Sequence, residues 1–275
     1  MTIIEYSNLN CTSEQIIQIV DDLAQLRLLA DIELAPLYPY NSGKTYPLGR
    51  CKEIRDHVFS QLTKVLPNTQ QSGLILIRQE IAKGVVLKKI WGSLRDEYFQ
   101  NAMQLGDWYI DVSNDTVNPN KPRVEILPLA SSGFSAISSF EQFVAIAKSY
   151  WGVQVFRNDV CPALAPFMPL LFVAPNGATW LGAAIDDMLA LAMDSQFGAS
   201  ESILSTLPQP SDEVIQHWGK ALNALTNNQF LRQQGNSFDF CKEYRNKQCH
   251  QDSEFRDKAV SAFLQLPNIN LKISV

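Results

Sequence analysis

A chain of 275 residues, 46% hydrophobic and 19% charged, has ordinary globular composition and length enough to bury a sizeable core, which excludes a disordered tail or adaptor. The formal charge is -5, and the stretch between Arg157 and Lys220 holds seven acids and no Lys or Arg, so it cannot grip phosphate and no nucleic-acid partner is expected. The five cysteines (Cys11, Cys51, Cys161, Cys241 and Cys249) are odd in number and widely spaced, and they read as free thiols of a reducing cytoplasm.

The opening "MTIIEYSNLN" lacks the basic start and apolar run of a signal peptide. Thr12 with Gln15 forms a capping box ahead of Ile16, Ile17, Val20 and Leu23, which predicts a helix over 13–30. A loop rich in proline and tyrosine follows, then a helix over 51–66 with Ile54, Val58, Leu62 and Val65 on one stripe and Pro67 closing it. The short apolar runs "GLILIR" (73–78) and "VVLKKIW" (85–91) read as strands, and Ser93 and Gly106 bracket a helix over 94–105.

"GDWYIDVSNDTV" (106–117) reads as a strand, and "RVEILPL" beyond the "NPNK" loop pairs back on it as a hairpin. Ser138 and Glu141 make a second capping box, opening a helix that ends at Gly152. "VQVF" and "PLLFVA" are the next strands, an Asn-Gly turn follows, and 181–197 fits a helix. "CPALAPFMPLLFVAP", the nearest approach to a membrane span, is shorter than the roughly 20 apolar residues required and is broken by prolines, so no membrane association is expected. Ser211 caps a further helix, another covers about 253–266, and "INLKISV" is a short terminal strand.

These elements predict an α+β fold, with a central mixed or antiparallel sheet across about residues 73–174 between N-terminal helices and a helical C-terminal region. The expected division is an α+β body over 1–200 with a mainly helical extension over 201–275, or one single domain.

No motif names a reaction. Cys51 and His57 share a helix, but six residues turn the chain by about 600°, which leaves the two side chains about 120° apart and unable to form a dyad. Cys51 on an apolar stripe reads as packing. Cys241, Cys249 and His250 lack the close pairs of a zinc site, the three histidines have no metal-site spacing, and no metal is expected. G-x-S-x-G, G-x-G-x-x-G and Walker loops do not occur, and the cofactor, if the chain uses one, is unknown.

What stands out is the strand that opens at Gly106. Alternation places Asp107, Tyr109, Asp111, Ser113 and Asp115 on one face and Trp108, Ile110 and Val112 on the other. The acids are either a face turned to water or part of a ligand site. The neighbouring sequence is dense in polar and aromatic residues, as a pocket for a small polar molecule requires. In that reading Asp107, Asp111 and Glu125 act as acid, base or cation ligand, Arg95, Lys121 and Arg123 hold an anionic group, and Tyr109 stacks or hydrogen-bonds. Two of these groups would have to meet within hydrogen-bond reach of one cavity.

The order strand, Gly92-Ser93, helix, acidic strand, then Glu125 in "VEI" resembles the pattern of polymerase-β-type nucleotidyltransferases over about residues 85–127. That resemblance implies Asp107 or Asp111 as metal ligands and Glu125 as the third carboxylate. The chain departs from it in having no D-x-D or D-x-E, and Asp107 and Asp111 stand about 13 Å apart along a strand. The competing reading is a non-catalytic binding or regulatory protein with a protein partner, using the base-free 158–219 segment. It expects Ile203, Leu204 and Leu207 on an exposed patch.

Overall fold

The computed structural model describes residues 11–41, 43–182, 185–225, 228–266 and 269–271. The leading ten residues and the end of the terminal strand expected over 269–275 lie outside the described residues. The fold is α+β with antiparallel sheets, and its contacts divide it into two compact units, 1–136 and 137–275, where the sequence reading drew its boundary at 200/201. Strands expected to form one central sheet over 73–174 belong to two sheets, one in each unit.

The first unit opens with α1 (Ser13–Leu37), whose capping box forms as expected: Gln15 N–H donates to Thr12 Oγ1 and Thr12 N–H donates to Gln15 Oε1. A two-stranded ribbon, β1 (Tyr40–Asn41) and β2 (Lys44–Thr45), leads to α2 (Cys51–Val65). The next element is a helix, α3 (Ser72–Ala82), and not the expected strand. Its N-terminus is capped from outside the local sequence, because Asp22 Oδ2 on α1 accepts the N–H groups of Gly73 and Leu74 at 2.8 and 3.2 Å. Gly73 also lets the two helix backbones meet, since a Cβ there would lie 2.3 Å from the Gln18 carbonyl oxygen.

β3 (Leu87–Leu94) and β4 (Tyr98–Leu105) form a hairpin where a helix over 94–105 was expected. The turn places Arg95 and Asp96 at φ of 57° and 56°, a left-handed conformation that a sequence without glycine there gives no reason to expect. The Ser93 hydroxyl, expected to cap a helix, instead donates to Asp96 Oδ1 and accepts the Asp96 N–H, both at 2.9 Å. β5 (Trp108–Asp111), β6 (Glu125–Pro128) and β7 (Phe134–Ser135) complete a sheet of order β6-β5-β4-β3-β7, in which β5 and β6 pair as the hairpin read from the sequence. One sheet face, with Met103, Leu105, Trp108, Ile110 and Ile126, closes a core with Ile19 and Leu23 of α1, Ile54 and Val58 of α2 and Leu74 and Ile77 of α3.

In the second unit α4 (Phe140–Ile146) is capped by Ser139, whose hydroxyl accepts the Gln142 N–H, while Ser138 donates to the Gln142 side chain. β8 (Gln154–Arg157), β9 (Leu170–Val173) and β10 (Ala178–Gly182) are antiparallel, the last two joined through the Asn176-Gly177 turn. The helix expected over 181–197 is shorter: Leu181 is a buried strand residue, and α5 spans Asp186–Asp194. Left-handed Gln196 and Phe197 separate it from α6 (Gly198–Thr206). Helices α7 (Asp212–Asn223, capped by Ser211), α8 (Gln229–Arg232), α9 (Ser237–Asn246) and α10 (Ser253–Leu264) follow, and β11 (Ile269–Asn270) adds to the edge of β10. Phe167, Phe197, Tyr244 and Phe255 meet at ring-centroid separations of 4.9 to 6.4 Å in this unit's interior. Among the described residues no helix is long and apolar enough to cross a membrane.

Candidate functional site

β5 does place Tyr109 and Asp111 on one face, and that face is buried. Asp111 has 0% of its surface exposed. Its Oδ1 accepts the Ser113 N–H at 2.8 Å and lies 3.0 Å from the Ser113 hydroxyl, while Oδ2 accepts Gln100 Nε2 at 2.6 Å and the Tyr109 hydroxyl at 3.0 Å. All four donors are neutral, so the carboxylate is satisfied by hydrogen bonds without a partner cation among the described residues. Burial raises its pKa above the ordinary carboxylate range against the lowering effect of Gln100, Ser113 and Tyr109. The Tyr109 phenol is raised as well, first by burial and then by Asp111 beside it.

Asp115, at the far end of the acidic run, sits in a one-turn 3-10 segment (Asn114–Thr116) and faces Arg27 of α1. Arg27 is wholly buried, with Nη1 and Nη2 at 2.8 and 3.2 Å from the two Asp115 oxygens, Nη1 also donating to the Val112 carbonyl and Nε to Asp31 at 2.7 Å. Burial disfavours the charged guanidinium, and Asp115 and Asp31 more than offset it. Asp31 further accepts the Tyr46 hydroxyl and pairs with Arg123 at 3.2 Å.

The other residues singled out by sequence do not converge on Asp111. Asp107 is exposed in the β4–β5 turn, and Arg95 is exposed in the β3–β4 turn with its N–H bound to the Gly133 carbonyl. Lys121 Nζ lies 3.1 Å from the Tyr98 hydroxyl, and Arg123 is taken by Asp31. Glu125 lies opposite Asp111 in the β5–β6 register and is half-buried. Of the seven, Tyr109 and Asp111 are the one hydrogen-bonded pair among the described residues, and neither touches solvent. The helix that the nucleotidyltransferase pattern requires between Ser93 and the acidic strand is strand β4.

Gln100 belongs to the polar stretch beside the acidic strand that the sequence marks as a candidate pocket, whereas Arg27, Asp31 and Tyr46 carry no such signal. Gln100 lay in the expected helix, and the others are brought in over long sequence separations that local pattern does not encode. Cys51 accepts a hydrogen bond from Asn101 Nδ2 at 3.3 Å, and burial pushes its thiol up. In the 158–219 segment Ile203, Leu204 and Leu207 are buried, so the apolar patch expected of a docking surface is not there. Among the described residues no group of three or more His, Cys, Asp or Glu is placed to hold a metal ion.

A different surface of the first unit is concave and open. A groove of about 470 Å³ runs between the ends of α2 and α3 and the start of β3, lined by Phe59, Thr63, Leu66, Ile81, Val85 and Leu87. Val86 at its lip is 68% exposed. Residues 50–95, which build the groove, carry nine Lys and Arg against three acids in a chain of net charge -5. The outward face of α1 also exposes Leu28, Leu29 and Ile32, but it is convex and its backbone groups are spent within the helix. Compared with known proteins, the chain matches no family model, no curated protein and no solved structure.

Proposed function

We propose that this chain is a non-catalytic, cytoplasmic binding protein, and that the groove between α2, α3 and β3 is its binding surface. The observation that carries this reading is the zero exposure of Asp111. A carboxylate whose oxygens are both occupied by protein donors has no lone pair free for a substrate proton or a cation, so the best-placed acid of the sequence serves the fold. The groove, by contrast, offers the concave apolar lining of a binding site. Filling it with Thr63→Trp should abolish crosslinking from a photoreactive residue at position 86 in cells, while Asp111→Asn leaves the crosslink intact. A turnover activity lost in folded Asp111→Asn protein would sink the reading.

A further inference from the structure

We infer that the groove takes an extended, acidic and apolar segment of a partner protein, which adds as a strand to the free edge of β3; this rests on the binding reading above. β7 pairs with β3 at Ser93 and Leu94 and crowds Gly92, so among the described residues Leu87–Ile90 have no strand on that side. Arg95 N–H, one residue beyond β3, donates to the Gly133 carbonyl in the β3–β7 register, so Arg95 and Ser93 turn their backbone groups to the β7 side of the strand. By strand alternation the N–H and C=O of Leu87 and Lys89 point to the same side, where the edge is open, while those of Lys88 and Ile90 face β4. An unpaired edge beside an apolar groove is the geometry of strand addition, in which backbone bonds give affinity and alternate side chains enter pockets.

Charge selects the occupant. Lys89 Nζ lies 5.8 Å from the centroid of the groove residue Phe59, Lys83 adjoins the groove at Gly84 and is 63% exposed, and Lys88 is exposed on the edge itself. Glu80 and Asp56 pair with Lys83 and Lys89 but, among the described residues, no acid pairs with Lys64 or Lys88. Lysines on an edge repel a basic strand, including a second copy of this one, lose hydration without compensation under a neutral one, and admit a strand that carries acids. A membrane would use the same cations and apolar residues, but it has no backbone groups for the open edge.

The test uses the full chain and short synthetic peptides that alternate Val with Glu, Val with Lys, or Ser with Glu. The Val/Glu peptide should bind saturably, about tenfold or more tighter than either other peptide, and should weaken between about 0.05 and 0.5 M salt. Its binding should slow hydrogen exchange at the Lys89 amide. Lys83→Glu with Lys89→Glu should lower its affinity about tenfold, and Lys89→Pro, which removes an outward N–H that the β3–β4 ladder does not use, should do the same while the thermal melt stays cooperative. Equal binding of the Val/Glu and Val/Lys peptides, binding without protection at Lys89, no saturable binding, or capture by phosphatidylserine vesicles in place of peptide would each overturn the proposal. Thr63→Trp separates the two levels: if it abolishes the cellular crosslink while the Val/Glu peptide never binds, the groove is a binding surface for a different partner.

Discussion

Arg27 and Asp115 meet through paired hydrogen bonds of 2.8 and 3.2 Å, the arginine side chain wholly buried and the aspartate 8% exposed. The pair fastens the middle of α1 to the chain just after β5. Arg27→Leu leaves Asp115 buried without its cation and should cost about 3 to 5 kcal/mol. Arg27→Leu with Asp115→Leu should cost less than the two single changes added together, because no buried charge is then left unpaired. Urea unfolding of the three variants measures the coupling, and strict additivity would mean that the pair carries no interaction of its own.

Asp111 should make stability depend on pH in the direction opposite to a salt-bridged acid. Its folded pKa is raised by burial, so the folded state holds the proton more tightly than the unfolded chain. Its contribution is therefore fully present below the unfolded value of about 4 and is lost as pH rises through the folded value. Asp111→Asn removes this loss, and Gln100, whose Oε1 has no partner, can turn its amide to accept from the new Asn. Urea melts at low and neutral pH should show wild type falling relative to Asp111→Asn as pH rises. Asp111→Ala leaves Tyr109, Gln100 and Ser113 without their acceptor and should cost on the order of 3 kcal/mol.

The contact of α3 with α1 should be sensitive at two points. Asp22→Ala removes the cap of Gly73 and Leu74 and should cost about 1 to 2 kcal/mol. Gly73→Ala drives a methyl group into α1 backbone, 2.3 Å from the Gln18 oxygen and 2.6 Å from the Ile19 Cα, and should cost about 1 to 3 kcal/mol or more. Thermal melts check both. A neutral Gly73→Ala would show that the helices can move apart freely.

The thiols of Cys51, Cys161 and Cys241 should be inert. Burial raises Cys51, and it pushes Cys161 and Cys241 up to about 12, which leaves little thiolate near neutral pH. An aromatic disulfide reagent should label these three in the native protein far more slowly than in denaturant. Cys51→Ala should cost at most about 2 kcal/mol. Fast native labelling of Cys51 would assign it a reactive role.

The elements legible in the sequence are those whose signals are local. Thr12 with Gln15 starts α1, Asn176-Gly177 turns β9 into β10, Ser211 caps α7, and the period-2 pattern of 108–111 and 125–128 makes a hairpin. The misread elements have distant partners. "GLILIR" has a short strand's composition, and Asp22, 51 residues away, caps it as a helix. The β3–β4 hairpin is not legible in residues 94–105 because Arg95 and Asp96 hold a left-handed turn that glycine would have advertised.

The acidic strand divides the same way. Its sequence determined that Tyr109 and Asp111 share a face with a carboxylate at each end, because side chains alternate along any strand. Whether that face meets water, a ligand or the interior depends on what packs against it, and the tertiary structure assigned three acids three fates. Asp107 falls in an exposed turn, Asp111 is sealed among four neutral donors, and Asp115 is neutralised by an arginine 88 residues earlier in the chain. Composition and periodicity fix which residues can be buried together; long-range packing alone decides which charges are buried and what satisfies them.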